Sequence, residues 1–289
     1  MAATIIDGRK IAERIKLAVK RDIQTIQTKG KRSLKLVALQ IGSDASSEIY
    51  LKAQAKLAKE LGIEYCVKTL AQKISQRGVE REIVELNKDD AVTGIIIQTP
   101  TPKHIDAQRL FAMVAPDKDA EGLHPANIGK LVYEDWVVAP CTASACMTLI
   151  ASTGISPYGK EVVIVGHSEI VGRPLSLMLL SKMATTTVCH IATYEKGLLK
   201  KHVQRAEMLI VSVGKSHLIK GDWIQRGAVV IDVGVNRRGN TVTGDVDFRQ
   251  AIKRASYITP VPGGVGPVTA IMLMKNLAAL HKYRRGIDK

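Results

Sequence analysis

The feature that most constrains this chain is a repeated alternation between short apolar runs and segments with helical spacing. Leu34 to Ile41 (LKLVALQI), Glu64 to Leu70 and Gly94 to Gln98 read as strands, and Ser46 to Leu61 and Gln76 to Leu86 between them read as helices. Asp7 is placed to cap a preceding helix that carries Ile11, Ile15, Ala18 and Ile23. Near-continuous apolar strands joined by helices are the pattern of a parallel sheet covered on both faces. A second block repeats the rhythm. Glu161 to Val165, Thr185 to His190, Met208 to Val213 and Ala228 to Val233 read as strands, with a helix over Val171 to Leu180. Pro100, Pro102, Pro116, Pro125 and Pro140 cluster between the blocks and mark a change of domain. A last helical pattern, from about Pro267 to Tyr283, is expected to pack back on the first domain. The expected division is 1–138, completed by 267–289, and 139–266.

A chain of 289 residues with 46% hydrophobic content has enough apolar material for two cores and too much for a disordered state. No stretch approaches the roughly 18 uninterrupted apolar residues of a membrane span, and the first residues lack the apolar run of a secretory signal. Cys66, Cys141, Cys146 and Cys189 show no Cys-x-x-Cys spacing, so neither a metal site nor a disulfide framework is expected, and a cytoplasmic location fits.

The 42 Lys and Arg outnumber the 27 Asp and Glu, giving a net charge of +15. Nucleic acid is the obvious partner for such a balance. Aromatic residues are only 4%, which leaves little for base stacking, and the basic residues are spread rather than run together. No nucleic-acid partner is therefore expected. A basic solvated surface is the plain reading, and a field that attracts small polyanions is the functional one.

Val162 to Pro174 (VVIVGHSEIVGRP) is a strand, a glycine turn and a helix start. Such a turn brings backbone N–H groups and a helix N-terminus up to a pyrophosphate. Only Gly166 and Gly172 are present, so the Gly-x-Gly-x-x-Gly pattern is incomplete, and a plain βα turn explains the segment as well. Two later turns, at Gly214 and at Gly234-Val235-Asn236, also end strands on glycine, where an open α/β sheet binds its ligand. His167 stands beside the first turn. His190 and Ile191 end the next strand, where an adenosine rests in such sheets, although a lone His190 is more often structural.

Several segments, in order along about residues 4 to 280, resemble one family. Gln98-Thr99-Pro100-Thr101-Pro102 is similar to its Gln-Leu-Pro-Leu-Pro signature, and Pro116 to Pro125 (PDKDAEGLHP) to its Pro-x-Lys-Asp-Val-Asp-Gly-Phe/Leu-His-Pro segment. Gly166 to Pro174 is similar to its Gly-Arg-Ser-x-Ile-Val-Gly-x-Pro turn. Gly244-Asp245-Val246 and Thr259 to Thr269 (TPVPGGVGPVT), the most specific piece, complete the set. The chain resembles the bifunctional methylenetetrahydrofolate dehydrogenase/methenyltetrahydrofolate cyclohydrolases, the FolD type. That resemblance implies a two-domain α/β fold, with an N-terminal folate-side domain, a Rossmann-like NAD(P) domain and a cleft between them.

The resemblance further implies an enzyme of one-carbon metabolism that oxidises 5,10-methylenetetrahydrofolate to 5,10-methenyltetrahydrofolate with NADP, NAD being the alternative. Water then opens the product to 10-formyltetrahydrofolate in most members. It implies a homodimer, no metal, and tetrahydrofolate substrates whose polyglutamyl tail would suit the basic balance. Carried over residue by residue, Tyr50 and Gln98 belong to the catalytic and folate site together with Glu121, Pro262 and Gly263. Gly166, His167, Ser168, Ile191, Gly214 and Val235 belong to the cofactor site.

One departure bears on the chemistry. The family's catalytic helix reads Tyr-x-x-x-Lys, and here Tyr50 is followed by Gln54. An i, i+4 pair shares a helix face, so both are expected to point into the site. Lys52 and Lys56 lie two positions away, a rotation of roughly 200°, and are expected on the opposite face. Hydride transfer needs orientation of the reacting carbons, whereas ring opening needs proton handling that an amide cannot supply. The expectation is a retained dehydrogenase with a weak or absent cyclohydrolase; a catalytically silent folate or dinucleotide binder is the alternative. Glu121 stands where the family has a pterin-binding Asp, His167 where an Arg is common, and Ile191 where a Ser is usual.

Overall fold

The computed structural model describes residues 2–30, 33–42, 45–239 and 241–286. The last three residues of the expected C-terminal segment, 287–289, lie outside them. In chain order the elements are β1 (Thr4–Ile5), α1 (Gly8–Gly30), β2 (Lys35–Ile41), α2 (Ala45–Leu61), β3 (Glu64–Leu70), α3 (Gln76–Lys88), β4 (Gly94–Ile97), α4 (Ala107–Met113), α5 (Pro125–Val132) and α6 (Cys141–Ala151). They continue with β5 (Glu161–Val165), α7 (Gly172–Leu180), β6 (Thr185–Cys189), α8 (Ile191–Glu195), α9 (Leu199–Gln204), β7 (Met208–Val211), β8 (Val229–Asp232), β9 (Asn236–Arg238), β10 (Thr241–Thr243), α10 (Phe248–Ala251), β11 (Tyr257–Ile258) and α11 (Val265–Arg284). The chain divides into two compact units, one of residues 1–14 and 142–269, the other of residues 15–141 and 270–289.

The unit built on residues 15–141 and 270–289 holds a parallel three-stranded sheet in the order β3-β2-β4. The central strand is buried from Leu36 to Ile41, which is why its sequence is almost unbroken apolar. The edge strand β3 is largely exposed and accordingly mixes Glu64, Lys68 and Thr69 with apolar residues. α3 starts on Ser75, whose side chain accepts from the Gly78 N–H. α2 ends at Gly62 with φ of 72°, the left-handed stop that glycine adopts without a Cβ penalty. α11 packs on this sheet: Leu277 lies against Gly94, and Asn276 donates to the carbonyls of Ala120 and Ala139 at 3.0 Å each. In α1 the buried stripe runs through Ile11, Val19, Ile23 and Ile26, whereas Ala18 is exposed. The expected stripe is thus off by one position at Ala18. Asp7 caps the helix as expected, accepting from the N–H groups of Arg9 and Lys10.

The other unit holds a parallel six-stranded sheet in the order β1-β11-β8-β7-β5-β6, with the antiparallel β9–β10 hairpin beside it. Its core gathers Val163, Val165, Leu209, Val211, Val230 and Ile258 with Leu199 and Val203 of α9. The sequence boundary at 138 groups residues 1–14 with the first block. The strand pairing sets them in this unit, because Thr4 and Ile5 pair with Tyr257 and Ile258. β1, β11 and the hairpin are two or three residues long and have no periodicity of their own, so nothing local announces them.

Candidate active site

In the smaller-sheet unit, α2 presents Tyr50 and Gln54 on one face. Gln54 is 2% exposed, whereas Lys52 and Lys56 are exposed, as the helical rotation requires. The Gln54 amide oxygen accepts from the Tyr65 hydroxyl at 2.6 Å and from Gln98 Nε2 at 3.4 Å. Gln54 also hydrogen-bonds the Tyr50 side chain. Tyr50 is 40% exposed as a residue, yet its hydroxyl end is enclosed. Burial pushes that phenol well above its ordinary value, and the neighbouring Cys141 and Glu121 add to the shift. Tyr65 is shifted the same way, chiefly by burial. Tyr65 is a site residue that sequence reasoning missed; on an edge strand its only signal is its type.

Gln98 follows β4 and is held there by its N–H, which donates to the Leu39 carbonyl at 2.8 Å. The next peptide, Thr99–Pro100, is cis.

The segment that delivers Glu121 is built by its neighbours. Lys118 is buried, and its ammonium donates to the carbonyls of Leu86, Asn87 and Asp89 at 2.7–3.0 Å. Asp119 accepts from the N–H groups of Gly122, Leu123 and His124 and from Asn127 Nδ2. Both charges are therefore spent on folding the loop. Glu121 remains, half-buried, with Oε2 accepting from the Ile97 N–H at 3.3 Å. Burial first, and the Asp119 carboxylate second, push its carboxyl up to about 8. Cys141 lies nearby, buried, with its thiol raised by burial, and all four cysteines are free. Beyond their shared site, Tyr50, Gln54, Tyr65, Gln98 and Glu121 share a second property: none is a cation.

In the larger-sheet unit, the glycine turn follows β5. Gly166 has φ of 125°, and a Cβ there would stand 2.2 Å from the Ser212 carbonyl oxygen. A Cβ on Gly172 would stand 2.0 Å from the Gly166 carbonyl oxygen. Only glycine at both positions lets α7 begin this close to the strand. A cavity of about 460 Å³ opens beside the turn, lined by Gly166, His167 and Ser168, by His190 and Ile191, and by Arg173 and Lys215 among others. The His167 and His190 ring centroids lie 5.4 Å apart with the planes tilted by 59°, and both rings line the cavity. Lys215 lies over the Tyr194 ring at 4.7 Å. Gly214 lies between two lining residues, its N–H held by Asp245, whereas Val235 is 69% exposed and outside the lining. A glycine turn packed this closely between strand and helix, beside a cavity lined by Arg173 and Lys215, suits a dinucleotide.

Two buried carboxylates hold the neighbouring loops. Asp245 accepts from Val213 N, Gly214 N and Asn236 Nδ2, and Asp232 from Gly234 N, Asp245 N and Val246 N. Burial pushes Asp232 up to about 7. The loop carrying Pro262 and Gly263 lies in this same unit, with a cis Val261–Pro262 peptide and Gly263 at φ of 108°. Gly8 abuts Gly264 so closely that a Cβ would lie 1.8 Å from its carbonyl oxygen. Among the described residues, no cluster of three or more His, Cys, Asp or Glu could hold a metal ion.

A parallel sheet with a tight glycine turn at its carboxyl end, joined to a second α/β unit whose polar site holds no cation, defines the class of two-domain α/β dinucleotide-dependent enzymes. Residues 6–121 match the tetrahydrofolate dehydrogenase/cyclohydrolase catalytic-domain family, and residues 140–285 match its NAD(P)-binding domain. The chain belongs to the tetrahydrofolate dehydrogenase/cyclohydrolase family. The bifunctional protein FolD of Moorella thermoacetica is 43% identical over 277 residues, covering 96% of this chain and 98% of that one. The crystal structure of the bifunctional FolD from Campylobacter jejuni superposes with a TM-score of 0.93 at 39% identity, covering 98% of this chain and 100% of that one. The Trypanosoma brucei FolD, complexed with NADP cofactor and an inhibitor, superposes with a TM-score of 0.93 at 35% identity, covering 100% of both chains.

Proposed function

We propose that this chain oxidises 5,10-methylenetetrahydrofolate to 5,10-methenyltetrahydrofolate with NADP, and that its hydrolysis of the methenyl product is weak. NADP, when bound, supplies the hydride acceptor. The Gly166–Gly172 turn would hold its pyrophosphate, and Arg173 and Lys215 would supply positive charge for the 2′-phosphate.

Oxidation breaks one C–H bond of the folate methylene, and the electron pair leaves with the hydrogen. The carbon is left as an amidinium-type cation, and no proton has to be taken up. What the protein must do is orient the pterin and its one-carbon unit. Glu121, with Pro262 and Gly263, is assigned to binding the folate, and Tyr50, Gln54 and Gln98 to the reacting end. Ring opening differs. Water adds to the cation and loses a proton, the departing ring nitrogen gains one, and the hydroxyl left on the carbon loses its proton as the formyl carbonyl forms, so that one proton is released overall and a titrating group is needed.

The observation that carries this reading is Gln54 itself: a buried amide, hydrogen-bonded to Tyr65 at 2.6 Å, that neither binds nor releases a proton. The test is two absorbance assays on the purified protein, methenyl formation with NADP or NAD and methenyl decay without cofactor. Methenyl formation with decay near the uncatalysed rate is the expected pair. No methenyl formation with either cofactor would leave a silent binder.

No helix among the described residues is long and apolar enough to cross a membrane. We place the enzyme in the cytoplasm as a homodimer acting on polyglutamylated folates. The net charge of +15 supports the tail, and light scattering checks the dimer.

A further inference from the structure

Tyr65 is not part of the motifs quoted above, yet its hydroxyl donates to Gln54 at 2.6 Å, from β3 to α2. An amide offers one acceptor atom and two N–H donors. Two donors, the Tyr65 hydroxyl at 2.6 Å and Gln98 Nε2 at 3.4 Å, converge on the Gln54 oxygen. The amide nitrogen is thereby left for Tyr50, one helical turn away on the same face. With both acceptor positions of the amide oxygen taken by Tyr65 and Gln98, the bond between Gln54 and Tyr50 is assigned as donated by the amide nitrogen to the Tyr50 oxygen. A phenol has a single hydrogen. With its oxygen receiving from Gln54, Tyr50 keeps its own O–H to offer to a ligand.

We propose that Tyr65 is a positioning residue that sets the direction of a hydrogen-bond chain, Tyr65 to Gln54 to Tyr50, so that Tyr50 meets the folate as a donor. The inference rests on the folate reading of this site and goes beyond it by assigning a residue outside those motifs. It also explains how an amide serves at this position. A lysine ammonium has donors only, so the Tyr65 hydroxyl could not donate to it and the chain would have no fixed direction from Tyr65.

The test uses the full chain, with steady-state oxidation and calorimetric binding of tetrahydrofolate measured in parallel. Tyr65→Phe keeps the ring and removes the hydroxyl. We expect the KM for methylenetetrahydrofolate and the Kd of tetrahydrofolate to rise about fivefold while kcat changes less, the scale of one lost oriented hydrogen bond. Gln54→Glu accepts from both tyrosines, turns the Tyr50 hydrogen inward, and should raise the same two constants. In the Gln54→Lys background, Tyr65→Phe should change the Kd less than about twofold, because no directed chain remains to be broken.

A Tyr65→Phe Kd within twofold of the parent overturns the proposal. So does an equal effect in the Gln54 and Lys backgrounds, which would mean that Tyr65 only packs. If Tyr65→Phe fails to fold, an unchanged Kd in Gln54→Glu overturns it alone. Tetrahydrofolate binding without oxidation would defeat the dehydrogenase reading and leave this one standing on its binding arms.

Discussion

Gln98 and Gln54 face each other with Gln98 Nε2 at 3.4 Å from Gln54 Oε1, one amide following β4 and the other inside α2. Their partner in the same cluster, Tyr65, is also uncharged, so the cluster orients but does not titrate. That distinction separates the two reactions of the family, and it can be restored at one position.

Gln54→Lys should raise methenyl hydrolysis by at least about a hundredfold, the lower range of acid–base assistance. Burial lowers the pKa of an amine, which brings its proton exchange toward neutral pH. Oxidation should change by less than about tenfold, since orientation is kept by Tyr50 and Gln98. Decay of methenyl absorbance without cofactor reads the gain. No gain would mean that residues besides Gln54 have diverged from the hydrolytic arrangement.

Glu121 gives the oxidation a pH dependence. Its carboxyl is raised from an ordinary 4.5 to about 8, so below that value it carries a proton and loses an acceptor. Accepting from a pterin ring requires the ionised form, so the KM for methylenetetrahydrofolate should fall as pH rises through about 8. Glu121→Gln should flatten the profile. The same shift has a stability consequence of definite sign. Between the unfolded and folded values the folded protein binds a proton that the unfolded chain does not, so this group's contribution is present below 4.5 and lost as pH rises through about 8.

Gly172→Ala should weaken NADP binding more than about tenfold, read by cofactor fluorescence, and should lower the Tm. The added Cβ would stand 2.0 Å from the Gly166 carbonyl oxygen, so α7 or the turn has to move. Gly129→Ala serves as a control, since nothing lies within 4 Å of its Cβ position. An unchanged cofactor affinity in Gly172→Ala would show that the turn does not hold the pyrophosphate.

Asn276→Leu should destabilise the protein by about 1–3 kcal/mol, read by urea unfolding, because it strands two buried carbonyls, those of Ala120 and Ala139. Ala120 adjoins Glu121, so oxidation should fall with stability. Unaltered stability would show that those carbonyls find other donors.

The alternation of apolar runs and helical segments was legible because a parallel strand buried on both faces is apolar over most of its length, as β2 and β5 are after Lys35 and Glu161, with Gln40 the one polar residue inside. The glycine turn was legible because Gly166 and Gly172 are required by close backbone approach. The Gln54 face was legible because helix rotation fixes it relative to Lys52 and Lys56. Less visible was the division of labour inside the motif around Glu121. Lys118 and Asp119 look as chemically able as Glu121 in sequence, and only their hydrogen bonds identify them as supports of the loop.

By itself, then, the sequence determined the α/β class, the tight glycine turn after β5, and a non-titrating amide at residue 54, since each follows from local geometry or residue chemistry. Only the tertiary structure decided that Thr4–Ile5 closes a sheet edge beside Tyr257–Ile258, that Tyr65 meets Gln54, and that Glu121 is raised toward neutral pH. These depend on which side chains are brought together and how thoroughly water is excluded around them. A contact between distant segments leaves no period in the chain, and burial belongs to the folded solid rather than to the residue.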